Sequence, residues 1–326
     1  MKSSSLLKFS FISSPLVFIS IVVVILSSLV SITSSSWLMV WISMEVNLMS
    51  FIVLLYYESS CSVEACVKYF IVQSLGSYFM LLGFLCFDKI LLEVCLKYFL
   101  MMGLLMKGGV FPFHSWVPSV VNSSNWFASA LILSWQKLAP LLALSIFLSC
   151  VFLKLSVIMM AVLGGIGGLN QHSVRSMLSY SSFVHTSWMI LSLYKSFFIF
   201  FMYWFVYSIS VVFVMWCCYA YNKEFMKSQS RVVLGSSGLL MLSGLPPFIG
   251  FSCKVLVFMS VNSPVVFFCM LGSLISLKFY LSFIYNFFMT IMLDSKILNY
   301  DSFFAVFFFM YLNMLGFVCL ALFIFL

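Results

Sequence analysis

The sequence predicts an all-α polytopic membrane protein: about eleven transmembrane helices, built as an inverted five-helix repeat with two discontinuous helices. Three observations carry that prediction. Hydrophobic residues make up 64% of the 326 positions and charged residues 7%, with a mean hydropathy of +1.20, a composition foreign to soluble globular domains. Apolar runs of about 18 to 25 residues recur from end to end, each long enough to cross a hydrocarbon core as a helix. Two of these runs are interrupted by glycine and proline close to a lysine. A β-barrel would show segments of roughly ten residues alternating in polarity, whereas these runs are continuous.

In chain order the expected spans are Phe11 to Ile32, Trp37 to Tyr57, Val67 to Phe87, Ile90 to Phe111, Trp126 to Ser149 and Val151 to Gly168. The remaining five are Ser173 to Tyr194, Phe197 to Tyr221, Val232 to Ser260, Val265 to Met289 and Phe303 to Leu326. The run behind Lys2 and Lys8 is too long for a cleavable signal and reads as the first span. The longest polar connection, Asn222 to Arg231, is too short to fold as a soluble domain. A single transmembrane domain is therefore expected over 1–326, with repeat one over 11–150, repeat two over 151–290 and a terminal helix over 303–326.

The net charge of +8 comes from basic residues scattered singly between apolar runs, which excludes a nucleic-acid-binding stripe and leaves topology as its meaning. Lys2, Lys8, Lys68, Arg175, Lys223, Lys227, Arg231 and Lys296 fall on the N-terminal side, against Lys89, Lys97, Lys154 and Lys195 on the other. The excess puts the N-terminus inside and, after eleven spans, the C-terminus outside. Ten cysteines without a CxxC pair read as small packing residues. Three histidines far apart in sequence give no metal or haem site. The 39 Phe and 22 Met suit the biased nucleotide composition of an organelle genome.

The fourth span closes on Lys107-Gly108-Gly109-Val110-Phe111-Pro112, with Pro118 following, and the ninth contains Gly244-Leu245-Pro246-Pro247, then Gly250 and Lys254. Proline removes a backbone donor and clashes one turn back. At membrane depth such backbone survives only where it is packed in protein or lines a wet cavity. Spans four and nine lie five helices apart and so cross in opposite directions, as an inverted repeat requires. That repeat pairs Lys107 with Lys254, Lys137 with Lys278, and Glu45 with His185.

A charge at the centre of a span costs about 2.5 to 3.5 kcal/mol on insertion scales. Four of them, Glu45, Lys107, Lys137 and Lys254, would together cost about 10 kcal/mol, comparable with the stability of a whole domain. Burial disfavours the charged form and a nearby opposite charge favours it, so a Glu and a Lys in one polar cavity can exchange protonation states. These four residues are the candidate proton path, with His185, His114 and Lys278 as further relays. A set of static buried ion pairs that fixes helix register is the competing reading. Lys68, Lys97, Lys154, Glu64 and Glu93 lie near span ends, where snorkelling accounts for them. The Gly164-Gly165-Ile166-Gly167-Gly168 run lacks a Walker lysine and reads as a close-packing helix surface. Asn170, Gln171 and Arg175 then cap and anchor the next span.

These motifs resemble the subunit 2 family of mitochondrial NADH dehydrogenase, antiporter-like membrane subunits of respiratory complex I. The matching stretches are Trp41-x3-Glu45-x-Asn47, Glu64-Ala65-x2-Lys68-Tyr69-Phe70 and Lys107-x-Gly109-x2-Pro112-Phe113-His114-x-Trp116-Val117-Pro118. They continue with Trp135-Gln136-Lys137-x-Ala139-Pro140, Gly167-Gly168-Leu169-Asn170-Gln171 with Arg175, Tyr180-Ser181-Ser182 and His185, and Gly244-Leu245-Pro246-Pro247-x2-Gly250-Phe251-x2-Lys254. They run in order from span two to span nine. Three positions depart from the pattern: Ser119 stands where a glutamate is common, Ser176 where a lysine is common, and Ser282 about where an arginine is often found. Lys278 lies one helical turn before Ser282.

The resemblance implies a multi-pass protein of the mitochondrial inner membrane, N-terminus in the matrix and C-terminus in the intermembrane space. Its implied activity is proton translocation through Glu45, Lys107, Lys137 and Lys254, as part of NADH:ubiquinone oxidoreductase. No cofactor is implied for this chain; NADH, FMN, iron–sulfur clusters and ubiquinone belong to other subunits. The implied partners are neighbouring antiporter-like subunits, accessory subunits and membrane lipids. Two rivals remain: a stand-alone or Mrp-type cation/proton antiporter subunit, and a structural subunit with static ion pairs. A channel is disfavoured by the lack of a repeated filter loop.

Overall fold

The computed structural model describes residues 15–56, 62–85, 93–219, 229–246 and 248–293. The expected eleventh span, Pro247 and the basic residues Lys2, Lys8, Lys89, Lys223, Lys227 and Lys296 lie outside the described residues. Everything regular among the described residues is helical. The helices are α1 (Pro15–Thr33), α2 (Trp37–Tyr56), α3 (Ser62–Leu85), α4 (Glu93–Gly108), α5 (Trp116–Ser123), α6 (Trp126–Leu133) and α7 (Leu138–Ala143), followed by α8 (Val151–Gly168), α9 (Val174–Leu193), α10 (Phe197–Tyr219), α11 (Gln229–Ser243), α12 (Ile249–Ser260) and α13 (Val265–Leu293). Among the described residues, seven helical segments are long and apolar enough to cross a membrane.

Two expected spans differ in detail, and a third divides as the sequence predicts. The fourth is a helix, a loop and a second helix: α4 stops at Gly108, and α5 occupies residues that the sequence reading left as a connection. The fifth, expected to be continuous, is broken into α6, a 3-10 turn at Trp135–Lys137, α7 and a second 3-10 turn at Leu144–Phe147. Pro140 accounts for the first of these breaks, since it has no N–H to give the carbonyl of Gln136. The ninth span divides as expected into α11 and α12 around Gly244.

The chain forms two compact units. Among the described residues, one runs over 15–132 and 136–149, the other over 133–135 and 150–293. In the first, α3 and α4 meet backbone to backbone: a Cβ on Gly103 would fall 2.6 Å from the Gly76 carbonyl oxygen. Packing this close needs residues without side chains.

In the second unit the glycine run of α8 serves two neighbours, as the sequence reading expected. A Cβ on Gly164 would fall 2.8 Å from the Tyr180 carbonyl of α9, and one on Gly165 would meet the Gly272 carbonyl of α13 at 3.3 Å. Between these contacts α9 is buried almost all round, although it is rich in serine. Its hydroxyls are satisfied within the helix: Ser179, Ser182, Ser187 and Ser192 each donate to the carbonyl three residues back. Because each of these hydroxyl protons has an acceptor inside its own helix, a serine-rich helix can sit in the interior without an unsatisfied donor. Outward faces of the other helices are strongly apolar, as on Phe18, Met49, Phe205, Trp216 and Leu274.

Candidate functional site

Among the described residues, three lysines and one histidine are nearly inaccessible: Lys107, Lys137, Lys254 and His185 are each 5% exposed or less. Their surroundings differ, and each unit is built separately.

In the first unit, α4 ends at a left-handed Gly109, φ +63°, a conformation that costs any residue with a Cβ about 1–2 kcal/mol. The carbonyls of its last turn are taken by neutral donors. The Trp116 indole N–H of α5 donates to the Met106 oxygen at 3.1 Å, the Gln73 amide of α3 to the Lys107 oxygen at 3.2 Å, and the Val110 N–H to the Leu105 oxygen at 2.9 Å. With the helix end satisfied in this way, the Lys107 ammonium turns to α2, where it donates to Glu45 Oε1 at 3.1 Å. The lysine side chain is 3% exposed and the glutamate side chain 25%, so the pair is buried on its cationic side and open on its anionic side. Such a pair feels an external charge through the carboxylate.

Lys137 belongs to the same unit, in the 3-10 turn of the broken fifth span. Its neighbour Gln136 donates to the Asn47 side-chain oxygen at 2.9 Å, tying the turn to α2 two residues beyond Glu45. At the end of α4, a Cβ on Gly108 would touch Pro140 at 3.5 Å. The structure thus gathers Glu45, Lys107 and the turn carrying Lys137 around α2. His114 lies half-buried in the loop after α4, with Nδ1 at 3.2 Å from the Pro112 oxygen and its ring on Phe111.

In the second unit, α11 ends at another left-handed glycine, Gly244, φ +72°. Here the lysine itself caps the broken end: Lys254 reaches back from α12 and donates Nζ to the Ser243 carbonyl at 2.9 Å. A cation belongs at the negative end of a helix dipole. Gly244 leaves the room for it, since a Cβ there would fall 2.7 Å from that nitrogen.

His185 stands on α9 among three tyrosines. Tyr203 of α10 places its hydroxyl 2.9 Å from Nδ1, Tyr280 of α13 places its hydroxyl 3.5 Å from Nε2, and the Tyr207 ring lies 4.9 Å from the imidazole. Sequence reading found the histidine and missed the tyrosines. The signal was present: Tyr203 and Tyr207 are one turn apart on one helix face, and a buried phenol requires a polar partner.

Lys278 has a different setting. It is exposed on α13, as is Ser282 one turn later, while Phe279 and Tyr280 point inward. The described structure does not bring it to the buried groups of its unit. Glu64 and Lys68 form an exposed ion pair along α3, and Lys97 and Lys154 are also exposed, in line with a snorkelling role.

Fold and site define a polytopic helical membrane protein whose buried lysines stand at interrupted helices. A family model described as NADH:quinone oxidoreductase/Mrp antiporter, transmembrane, matches residues 34–279. The NADH-ubiquinone oxidoreductase chain 2 of Mytilus edulis is 46% identical over 281 residues, 85% of this chain and 88% of its own length. That of Anopheles gambiae is 33% identical over 289 residues, 82% of this chain and 85% of its own. A chain of respiratory complex I from Thermus thermophilus shares the fold with a TM-score of 0.71 at 22% identity, covering 82% of this chain and 69% of that one. The chain belongs to the NADH:quinone oxidoreductase/Mrp antiporter family, in its NADH-ubiquinone oxidoreductase chain 2 branch.

Proposed function

We propose that this chain is a proton-translocating membrane subunit of NADH:ubiquinone oxidoreductase, coupling electron transfer elsewhere in the complex to proton movement through its buried Glu, Lys and His groups. The observation that carries the reading is the Glu45–Lys107 pair at 3.1 Å, with its cation buried at the end of an interrupted helix. A charge change in a neighbouring subunit acts on the Glu45 carboxylate and loosens or tightens its hold on the Lys107 ammonium. The altered field at Lys137 shifts its proton affinity, and a proton moves by water and histidine towards Lys254. The chain itself contributes no redox centre; NADH, FMN, iron–sulfur clusters and ubiquinone are handled by other subunits. Neighbouring antiporter-like and accessory subunits and lipids cover its outer faces.

In this reading the protein lies in the mitochondrial inner membrane with its N-terminus in the matrix and its C-terminus in the intermembrane space. Its halves, 11–150 and 151–290, descend from one inverted repeat. The division into two compact units near residue 150 and the left-handed glycine that ends a half-helix in each support that descent.

A native gel of mildly solubilised membranes, stained for NADH oxidation and probed for this chain by mass spectrometry, tests the assignment. Co-migration with the NADH-oxidising band is expected. A chain running alone or with a small partner instead supports an Mrp-type antiporter subunit, the other half of the matched family description. For the mechanism, Lys137→Met is expected to lower the proton-to-electron ratio of the assembled complex, and an unchanged ratio overturns the path.

A further inference from the structure

Lys278 is left out of the buried path, yet it stands at membrane depth. The spanning stretch of its helix runs Val265–Met289, so at about 1.5 Å per residue the lysine lies roughly 16 Å or more from either end. That is too deep for its side chain to snorkel into the headgroups. It is exposed and, among the described residues, makes no ion pair. An ammonium facing hydrocarbon at the centre of a span is among the costliest placements a membrane helix can make.

Packing fixes the rotation of α13 and keeps the lysine outside. A Cβ on Gly272 would fall 2.5 Å from the Ala161 carbonyl oxygen of α8, and Phe279 and Phe283, on the same side of the helix, are buried. The opposite side carries Leu274, Lys278, Leu281 and Tyr285, all exposed. Their steps of four, three and four residues are the spacing of a packing seam between two helices. The counter-charge for Lys278 does not come from this chain. Of its 8 acidic residues only Glu45 falls inside a span away from its ends, and Lys107 already holds it. The stretch 303–326 contains no acidic residue. Lipid phosphates lie at the membrane surface, beyond the reach of a mid-span lysine, and the same face of a second copy would set lysine against lysine.

We infer that the Leu274, Lys278, Leu281 and Tyr285 face of α13 docks a transmembrane helix of a neighbouring subunit, one that presents an aspartate or glutamate at mid-membrane depth opposite Lys278. The inference rests on the proposed membership of a multi-subunit membrane complex. The leucines and Tyr285 pack on that helix. Its carboxylate compensates the ammonium, so that in the assembled state neither charge is left alone.

Two measurements on the intact complex test it. Wild-type membranes are treated with dicyclohexylcarbodiimide, an apolar reagent that activates carboxyl groups inside the bilayer, and searched by mass spectrometry for an isopeptide bond from Lys278, with the Glu45–Lys107 pair as internal standard. Native gels of Lys278→Met and Lys278→Arg are then quantified for subunit content. The expected result is an isopeptide from Lys278 to a span-internal Asp or Glu of another subunit, a roughly tenfold or greater loss of that subunit from the Lys278→Met complex, and its retention in Lys278→Arg. Methionine suits lipid better than lysine does, so the amount of this chain in the membrane should not fall. Wild-type subunit content in Lys278→Met overturns the surface, as does a coupled Glu45–Lys107 standard with no Lys278 product. An isopeptide to Asp294 or Asp301 of the same chain, or to Glu45 of a second copy, overturns the proposed occupant, and equal loss in both variants marks packing rather than charge and overturns it too. If Lys278→Met sheds a membrane neighbour from a band that does not oxidise NADH, the surface stands and the complex I assignment falls; if it sheds none from the NADH-oxidising band, the surface falls and the assignment stands.

Discussion

The two interrupted helices solve one problem in opposite ways. Each ends at a left-handed glycine, Gly109 or Gly244, which leaves carbonyls that the membrane interior will not hydrate. In the first unit neutral donors, the Trp116 indole and the Gln73 amide, take those carbonyls, and the lysine is free to bind a carboxylate. In the second the lysine takes the carbonyl, and among the described residues it has no ion pair. A lysine held by Glu45 responds to charge, whereas one held by a helix end responds to the geometry of the break. The same residue type is thereby tuned to two inputs.

The largest expected effect breaks the first arrangement. Removing one partner of a buried pair costs about 3–5 kcal/mol, because the other charge is left uncompensated. Glu45→Gln should therefore reduce the assembled complex on native gels and lower its melting temperature. Adding Lys107→Met to it should restore much of the assembly but not proton pumping; a double variant as unstable as the single one would mean the residues do not act as a pair.

Gly244→Ala addresses the second arrangement without touching its charge. Left-handed strain of about 1–2 kcal/mol combines with displacement of the Lys254 ammonium from the Ser243 carbonyl, a charge-assisted bond worth about 1.5–3 kcal/mol. Proton pumping should fall although Lys254 is intact; pumping at wild-type level would show that this hydrogen bond is not needed. Trp116→Phe is the matching change in the first unit. It takes the indole donor from the Met106 carbonyl, which keeps the Gly109 N–H at 3.2 Å; the loss is that of one hydrogen bond, about 0.5–1.5 kcal/mol, and should lower thermal stability more than it lowers the proton-to-electron ratio.

Smallest of all is Lys68→Met, which removes an exposed ion pair on α3. Such pairs contribute about 0.3–0.5 kcal/mol, so no measurable change in melting temperature or pumping is expected. A large loss would place Glu64 and Lys68 in the working site beside Glu45 and Lys107.

The breaks at Lys107-Gly108-Gly109 and Gly244-Leu245-Pro246 were legible because glycine and proline act on their own backbone. Buried lysines were legible because a charge inside an apolar run stands out whatever packs on it. The break at Trp135–Lys137 was passed over although Pro140 announces it, since the run around it is apolar enough to read as one helix. Lys278 shows a different difficulty. Where one helix face meets lipid and the other meets protein, both are apolar, and no polar stripe tells which way a given residue points.

By itself, then, the sequence determined what is local: the helical membrane class, the apolar spans, the two glycine-ended half-helices, the family and the lysines, glutamate and histidines that a membrane tolerates only for a reason. Tertiary structure alone decided which of these groups meet. Lys107 finds Glu45 across 62 positions and His185 finds Tyr280 across 95, while Lys254 turns back to Ser243 rather than to an acid. The rotation of each helix about its axis settles those meetings, and that rotation is set by glycine contacts and side-chain packing between helices far apart in sequence.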